Sequence, residues 1–322
     1  MTAERFLVTG AAGCIGVWVL RNLVRERIPV SVLDLDIHCH RLPLVLTDEE
    51  IARIHFIQGD VSDYATVEHA LKASGANRLI HLAALQLPFC KADPVAGARV
   101  NVVGTINLFE AAKHLGLKSL VYASSTAVYG LSEEYPEEPL AQDAPLKPRS
   151  HYGVYKQANE GSATVYFRDD GLSSIGLRPY VVYGAGRDQG MTSTPTQAIL
   201  AAAAGKPYKI SYGGRYCFQY ADDTARAFIQ AARMDFTGAQ VFNIGGDSVS
   251  TKEVIAAIEQ AEPSARGRIT FEDVPLPFPP EVDNRALIDA IGPLAFTPLV
   301  DGVAETLSIF RRALAEGKIK VE

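Results

Sequence analysis

Three glycines in Val8-Thr9-Gly10-Ala11-Ala12-Gly13-Cys14-Ile15-Gly16 follow the apolar run Phe6-Leu7-Val8 and open a helical pattern over residues 15–24. Their spacing suits an anion. Gly10 can take the dihedrals of a tight turn, Gly13 lets the main chain approach a pyrophosphate, and Gly16 lets the helix lie close to a sheet. The N–H groups at the helix start, around Cys14 and Ile15, face the anion through the backbone, so the Cys14 thiol is assigned no chemistry. Asp34 ends the next strand-like run, about twenty residues past the turn, where a carboxylate accepts hydrogen bonds from an adenosine ribose and repels a 2'-phosphate. Turn and carboxylate together predict a dinucleotide site, with NAD favoured over NADP. Gly59-Asp60-Val61 brings another carboxylate to a strand end, able to reach an adenine amino group or to cap the following helix.

A second set of residues is rich in hydroxyls. Tyr122-Ala123-Ser124-Ser125-Thr126-Ala127-Val128-Tyr129-Gly130 places Ser124, Ser125 and Thr126 where a strand runs out. Farther on, His151-Tyr152-Gly153-Val154-Tyr155-Lys156 opens a helix, and the four-residue spacing puts Tyr152 and Lys156 on one face. That spacing alone is common by chance. His81-Leu82-Ala83-Ala84 ends another strand in small residues that suit a backbone passing close to a ligand, with His81 itself read as a core residue. Asn101 is an amide in an otherwise apolar helix and must find a partner.

The elements that position these residues alternate. Strand-like runs at residues 6–9, 30–34, 54–60, 79–84, 119–124 and 174–178 are separated by helical patterns, including a long one at 94–115. This predicts an α/β fold, a doubly wound parallel sheet of about seven strands with its ligand at the carboxyl edge. Beyond Arg178-Pro179 the pattern shifts to an Ala-rich helix, Gly/Tyr turns and a proline-studded stretch at 271–280, while 240–246 reads as a strand returning to the sheet. The expected division is a cofactor domain at 1–183 with the returning segment 218–250, and a smaller substrate-binding domain from 184–217 and 251–322.

Composition narrows the classes. The 322 residues are 48% hydrophobic and 21% charged with a net charge of -6, which offers no general attraction to nucleic acid or to an anionic membrane. No apolar run reaches the ~20 residues of a membrane span, and the first residues lead straight into a strand, so a cytoplasmic protein is expected. The four cysteines, Cys14, Cys39, Cys90 and Cys217, form no C-x-x-C pair, which suggests neither a metal site nor a disulfide framework.

In their order, these motifs resemble the extended short-chain dehydrogenase/reductase family, in its NAD-dependent epimerase/dehydratase branch. The resemblance rests also on Asn101-x-x-Gly104-Thr105-x-Asn107-Leu108, Arg178-Pro179-x-x-x-Tyr183-Gly184, Tyr220-x-Asp222-Asp223 and Asn243-Ile244-Gly245-Gly246. It implies that Tyr152 is the acid/base, that Lys156 assists it and holds the nicotinamide ribose, and that Ser125 holds the substrate oxygen. A neighbouring ammonium and a cationic nicotinamide would both lower the tyrosine's pKa. The resemblance adds Leu82, Ala83, Ala84, Asn101, Ser124, Pro179 and Val182 to the cofactor site. On the substrate side it adds Gln86, Thr126, Val181, Arg187 and Arg215. It also implies a homodimer in which the 94–115 and Tyr152 helices pair with their copies.

Four positions depart from the family pattern. Thr126 and Ala127 stand where sugar dehydratases carry Asp-Glu, which argues against elimination of water. Val181 replaces an Asn common in UDP-sugar enzymes, and Tyr216 stands where a diphosphate-binding Arg is usual, with Arg215 beside it as a partial substitute. The expectation is therefore reversible oxidation of a secondary alcohol on a small sugar, sugar acid or hydroxy ketone. A sugar epimerase working through a transient ketone is the alternative, and an idle NAD-binding scaffold a third reading.

Overall fold

Alternate residues of β1 (Phe6–Thr9) face opposite ways, and both sides are apolar, which marks a strand covered on its two faces. Phe6 and Val8 enter one core and Leu7 the other. The computed structural model describes residues 3–136 and 138–321. It contains β2 (Val30–Asp34), β3 (His55–Gln58), β4 (Arg78–His81), β5 (Ser119–Ala123), β6 (Ser173–Arg178), β7 (Val181–Tyr183), β8 (Tyr208–Ile210), β9 (Arg215–Tyr220), β10 (Ala239–Asn243), β11 (Asp247–Ser250) and β12 (Ile269–Phe271). Seven of these make one parallel sheet in the order β10-β6-β5-β4-β1-β2-β3. The order reverses between β1 and β4, which opens a crevice at their carboxyl ends.

Helices Cys14–Arg25 and Ala221–Arg233 cover one face of the sheet, through Val17, Trp18, Leu20, Ala225 and Phe228. Tyr64–Ser74, Gly104–His114 and His151–Asp170 cover the other, through Val67, Leu108, Phe109 and Ala163. Of the returning stretch, β10 joins the large sheet, whereas β9 and β11 join β7 in a separate three-stranded sheet. No helix among the described residues is long and apolar enough to cross a membrane.

Two expected strands end early, and the difference shapes the site. Residues 59–60 and 82–84 leave the ladder where the neighbouring strands have ended, and their backbone turns to line the crevice. The long 94–115 helix is one run interrupted by a π-turn at Arg99–Val103. There the Asn101 carbonyl accepts from the side chains of Thr105 and Asn159, and such insertion into the carbonyl ladder widens a helix locally.

Gly10 has φ +69°, and a Cβ there would lie 2.4 Å from Ala83 N. Gly116 has φ +70° with nothing within 4 Å of such a Cβ. Thermal or chemical unfolding should therefore show Gly116→Ala costing only left-handed strain, about 1 kcal/mol, and Gly10→Ala clearly more. Equal losses would remove the packing constraint at Gly10.

Candidate active site

The crevice is a cavity of about 450 Å³ over the carboxyl ends of β1, β2, β4, β5 and β6. Its cofactor half is built by close backbone approach. Gly10 abuts residues 82–83, and a Cβ on Gly16 would lie 2.5 Å from Ala11 Cα, so helix Cys14–Arg25 starts tight against the turn. Gly13 is that helix's N-cap and supplies no side-chain cap, which leaves the first N–H groups facing the cavity. Asp34 accepts from Ala12 N–H at 2.9 Å, and burial raises its pKa against the pull of its backbone donors. An uncapped helix start beside a carboxylate at the β2 end is a donor and acceptor set that fits a dinucleotide. Asp60, Val61, Leu82, Ala83 and Ala84 complete this half.

The other half joins the end of β5 to helix His151–Asp170. Ser150 caps the helix by accepting from Gly153 N–H at 3.1 Å. A Cβ on Gly153 would lie 2.1 Å from Ala127 O, so only glycine lets the helix start reach the turn that carries Ser125. Ser125 Oγ accepts from Ala127 N–H at 3.1 Å and lies beside Tyr152 in the cavity. Lys156 Nζ donates to Ala123 O at 2.7 Å and stands 5.6 Å from the Tyr152 ring centroid. Gln86, Ser124, Thr126, Pro179, Val181, Val182 and Arg187 face the same cavity.

Burial governs the charges. It pushes the Tyr152 phenol above its usual pKa, partly offset by Ser125 and by the Arg187 guanidinium, and it pushes Lys156 down to about 8. In the protein by itself, desolvation therefore outweighs the lowering of Tyr152 by Ser125 and Arg187. Cys14 lines the turn with its thiol raised to about 11 by burial, hence protonated.

Residues 6–245 match the NAD dependent epimerase/dehydratase family. The chain belongs to it. It is thus an NAD-dependent enzyme of the extended short-chain dehydrogenase/reductase type. A UDP-glucose 4-epimerase of Mycolicibacterium smegmatis is 32% identical over 324 residues, 95% of this chain and 98% of that one. A UDP-glucuronate 4-epimerase of Thermodesulfobacterium geofontis is 30% identical over 79% of this chain and 80% of its own. Among solved structures, the UDP-glucose 4-epimerase of Thermus thermophilus in complex with NAD superposes with a TM-score of 0.77 at 28% identity, covering 96% of this chain and 100% of that one.

Two residues expected in the family's sites stand elsewhere. Asn101 is fully buried outside the cavity; it accepts from Leu85 N–H at 2.7 Å and donates to Leu85 O at 2.9 Å, so it shapes the loop before Gln86. Arg215 points outward to Ser248 O and Glu253, because adjacent residues of β9 face opposite sides. Tyr216 is wholly buried, away from the cavity.

Arg41 is a lining residue that sequence reasoning missed. Its guanidinium donates to Ala12 O at 3.1 Å and pairs with Asp188 at 2.7 Å, a partner 147 residues away that no local pattern announces. Leu276 and Phe278, from the proline-studded stretch, close the far wall for the same reason.

His81 is a core residue, as read from sequence. Its nitrogens meet Thr9 Oγ1 at 2.6 Å and Thr105 Oγ1 at 3.0 Å, and burial pushes its pKa down to about 3. The unfolded chain takes up that proton near pH 6.5 and the native protein only near pH 3, so acid favours unfolding between those values. Between pH 7 and pH 5 this one group should cost about 2 kcal/mol. In urea titrations His81→Gln should lose less stability than the parent over the same interval; an identical loss would mean that His81 binds its proton in the native state.

Proposed function

We propose that this enzyme interconverts C4 epimers of a UDP-linked sugar through a ketone that never leaves the cleft. The observation that carries the reading is that Ser125, Tyr152 and Lys156 share one cavity with the dinucleotide turn in a chain alike, over nearly its whole length, to a UDP-glucose 4-epimerase. The glycine turn and Asp34 would hold NAD there, and the cofactor would supply a reversible hydride acceptor. Tyr152 takes the proton of the C4 hydroxyl and later gives it back, Ser125 holds that oxygen, and Lys156, mostly protonated at pH 7, stabilises the phenolate. Thr126 and Ala127 offer no carboxylate for eliminating water.

Net oxidation of a small alcohol, the first expectation from sequence, rested on a weakened diphosphate anchor. Tyr216 lies outside the cavity, so its identity says less about that anchor than its place in the motif suggests. Arg187 is the better candidate. Its Nη2 donates to Thr192 Oγ1 at 3.0 Å, its buried Nε has no partner among the described residues, and it faces the cavity near Tyr152.

Incubated with UDP-glucose or UDP-glucuronate, the protein should yield the C4 epimer with no net NADH. Tyr152→Phe should lower kcat by about 10²- to 10⁴-fold with folding unchanged. Free NADH rising in step with ketone would restore the dehydrogenase reading.

We further propose a cytoplasmic homodimer. Val95, Val103, Val154 and Val165 are 44–65% exposed, and all four lie on the run from Pro94 to His114 or on the adjoining His151–Asp170 helix. That apolar face suits a four-helix contact with a second copy. The parent should sediment as a dimer at micromolar concentration and a Val103→Glu/Val154→Glu variant as a monomer; a monomeric parent would overturn the assignment.

A further inference from the structure

One turn beyond Lys156, the catalytic helix carries a carboxylate that does not face the cleft. Glu160 is 7% exposed, and its lone pairs are taken from two sides. Oε1 accepts from Ser124 Oγ at 2.5 Å and from Arg178 Nε at 2.8 Å; Oε2 accepts from Arg178 Nη2 at 2.8 Å. Arg178, 5% exposed, sends Nη1 to Tyr129 OH at 2.5 Å and to Gln142 O at 3.3 Å. A buried pair this well satisfied is often no more stabilising than apolar side chains of the same volume. Its position says more than its energy.

Tyr152, Lys156 and Glu160 form one stripe at four-residue spacing. Three consecutive residues at the end of β5 meet that stripe: Ala123 O takes Lys156, Ser124 Oγ donates to Glu160, and Ser125 lies beside Tyr152. We propose that Glu160 is a positioning residue for the reaction at Tyr152, its carboxylate locking the strand end that carries Ser125 to the helix that carries the acid/base. The proposal rests on the acid/base role given above to Tyr152.

The same carboxylate bears on the charge of Lys156. The titratable groups facing that ammonium are Tyr152 and Glu160 on its own helix, Cys90 on helix Leu87–Ala92, and His81 at the end of β4. Burial keeps His81 neutral and raises the Cys90 thiol, and Glu160 is the carboxylate of the set, paired with Arg178. After Cys90, Glu160 opposes the desolvation that pulls Lys156 down.

Two variants separate the contact from the charge. Glu160→Gln keeps the shape and removes the charge; Ser124→Ala removes the strand contact and keeps the charge. Both should lower kcat about 10- to 100-fold with KM within about threefold, as expected when reacting groups lose register. Only Glu160→Gln should also shift the alkaline limb of the kcat–pH profile to lower pH, by about 0.5 unit or more. NADH affinity followed by fluorescence across the same pH range should show that shift without any turnover, so a wild-type protein inert toward UDP-sugars would sink the epimerase reading and still leave this one testable. Should Glu160→Gln fail to fold with Arg178 unpaired, Glu160→Gln/Arg178→Gln replaces it, with a smaller shift in the same direction because the lost guanidinium charge partly offsets the lost carboxylate. An unmoved alkaline limb, or kcat losses that only track a lowered Tm, would overturn the proposal.

Discussion

A methyl group on Gly153 would sit 2.1 Å from the carbonyl oxygen of Ala127, and one on Gly10 would sit 2.4 Å from the amide nitrogen of Ala83. In both places two stretches of backbone touch with no side chain between them, at the edge where the strands of the sheet run out. The first contact brings the Tyr152 helix against the serine turn. The second closes the dinucleotide turn onto the loop that leads to Gln86. The cavity lies between these contacts, so its width is set by main chain, which cannot change rotamer, and its chemistry by the few side chains that point inward.

The loop after β7 ties the two halves together. Trp18 Nε1 donates to Ala185 O at 2.9 Å, Asp188 pairs with Arg41 at 2.7 Å, and Gln197 donates to Asp188 O at 3.0 Å. Between those ties Arg187 projects into the cavity. One segment therefore grips the dinucleotide turn, through Arg41 on Ala12 O, and presents a cation to whatever lies beside Tyr152. Arg41 and Arg187 both line the cavity yet differ in availability, because the first is committed to Asp188 and the second keeps a nitrogen with no partner among the described residues.

How legible all this is in the sequence depends on range. The glycine turn, Asp34 and the Tyr152–Lys156 stripe are local patterns with a period, and the strand-helix alternation carries the parallel sheet with them. Features made by distant partners leave no such trace: Arg41 with Asp188, Glu160 with Arg178, and the proline stretch bringing Leu276 and Phe278 to the cavity wall. Two misplaced residues show the same limit in reverse. Arg215 looks like a substitute for its neighbour in one dimension, but a strand turns neighbours to opposite faces. Asn101 sits in a motif associated with the cofactor, yet the π-turn around it directs its amide to Leu85 and its carbonyl to Asn159.

Epimerisation and dehydrogenation begin with the same proton and hydride, so Ser125, Tyr152 and Lys156 cannot distinguish them. The outcome turns on whether the ketone outlasts the time it needs to present its other face. A small ketone held only by Ser125 and Tyr152 is neutral and has little to keep it in place. A ketone joined to a diphosphate has a second attachment, and a guanidinium in a low-dielectric cleft holds an anion far more firmly than water would allow. In the proposed reading Arg187 would be that second attachment, and the apolar wall of Leu276 and Phe278 would give the sugar ring a surface on which to turn without new polar contacts to break. The physical requirement for inversion is thus one fixed end and one free end, and this cleft has residues suited to both.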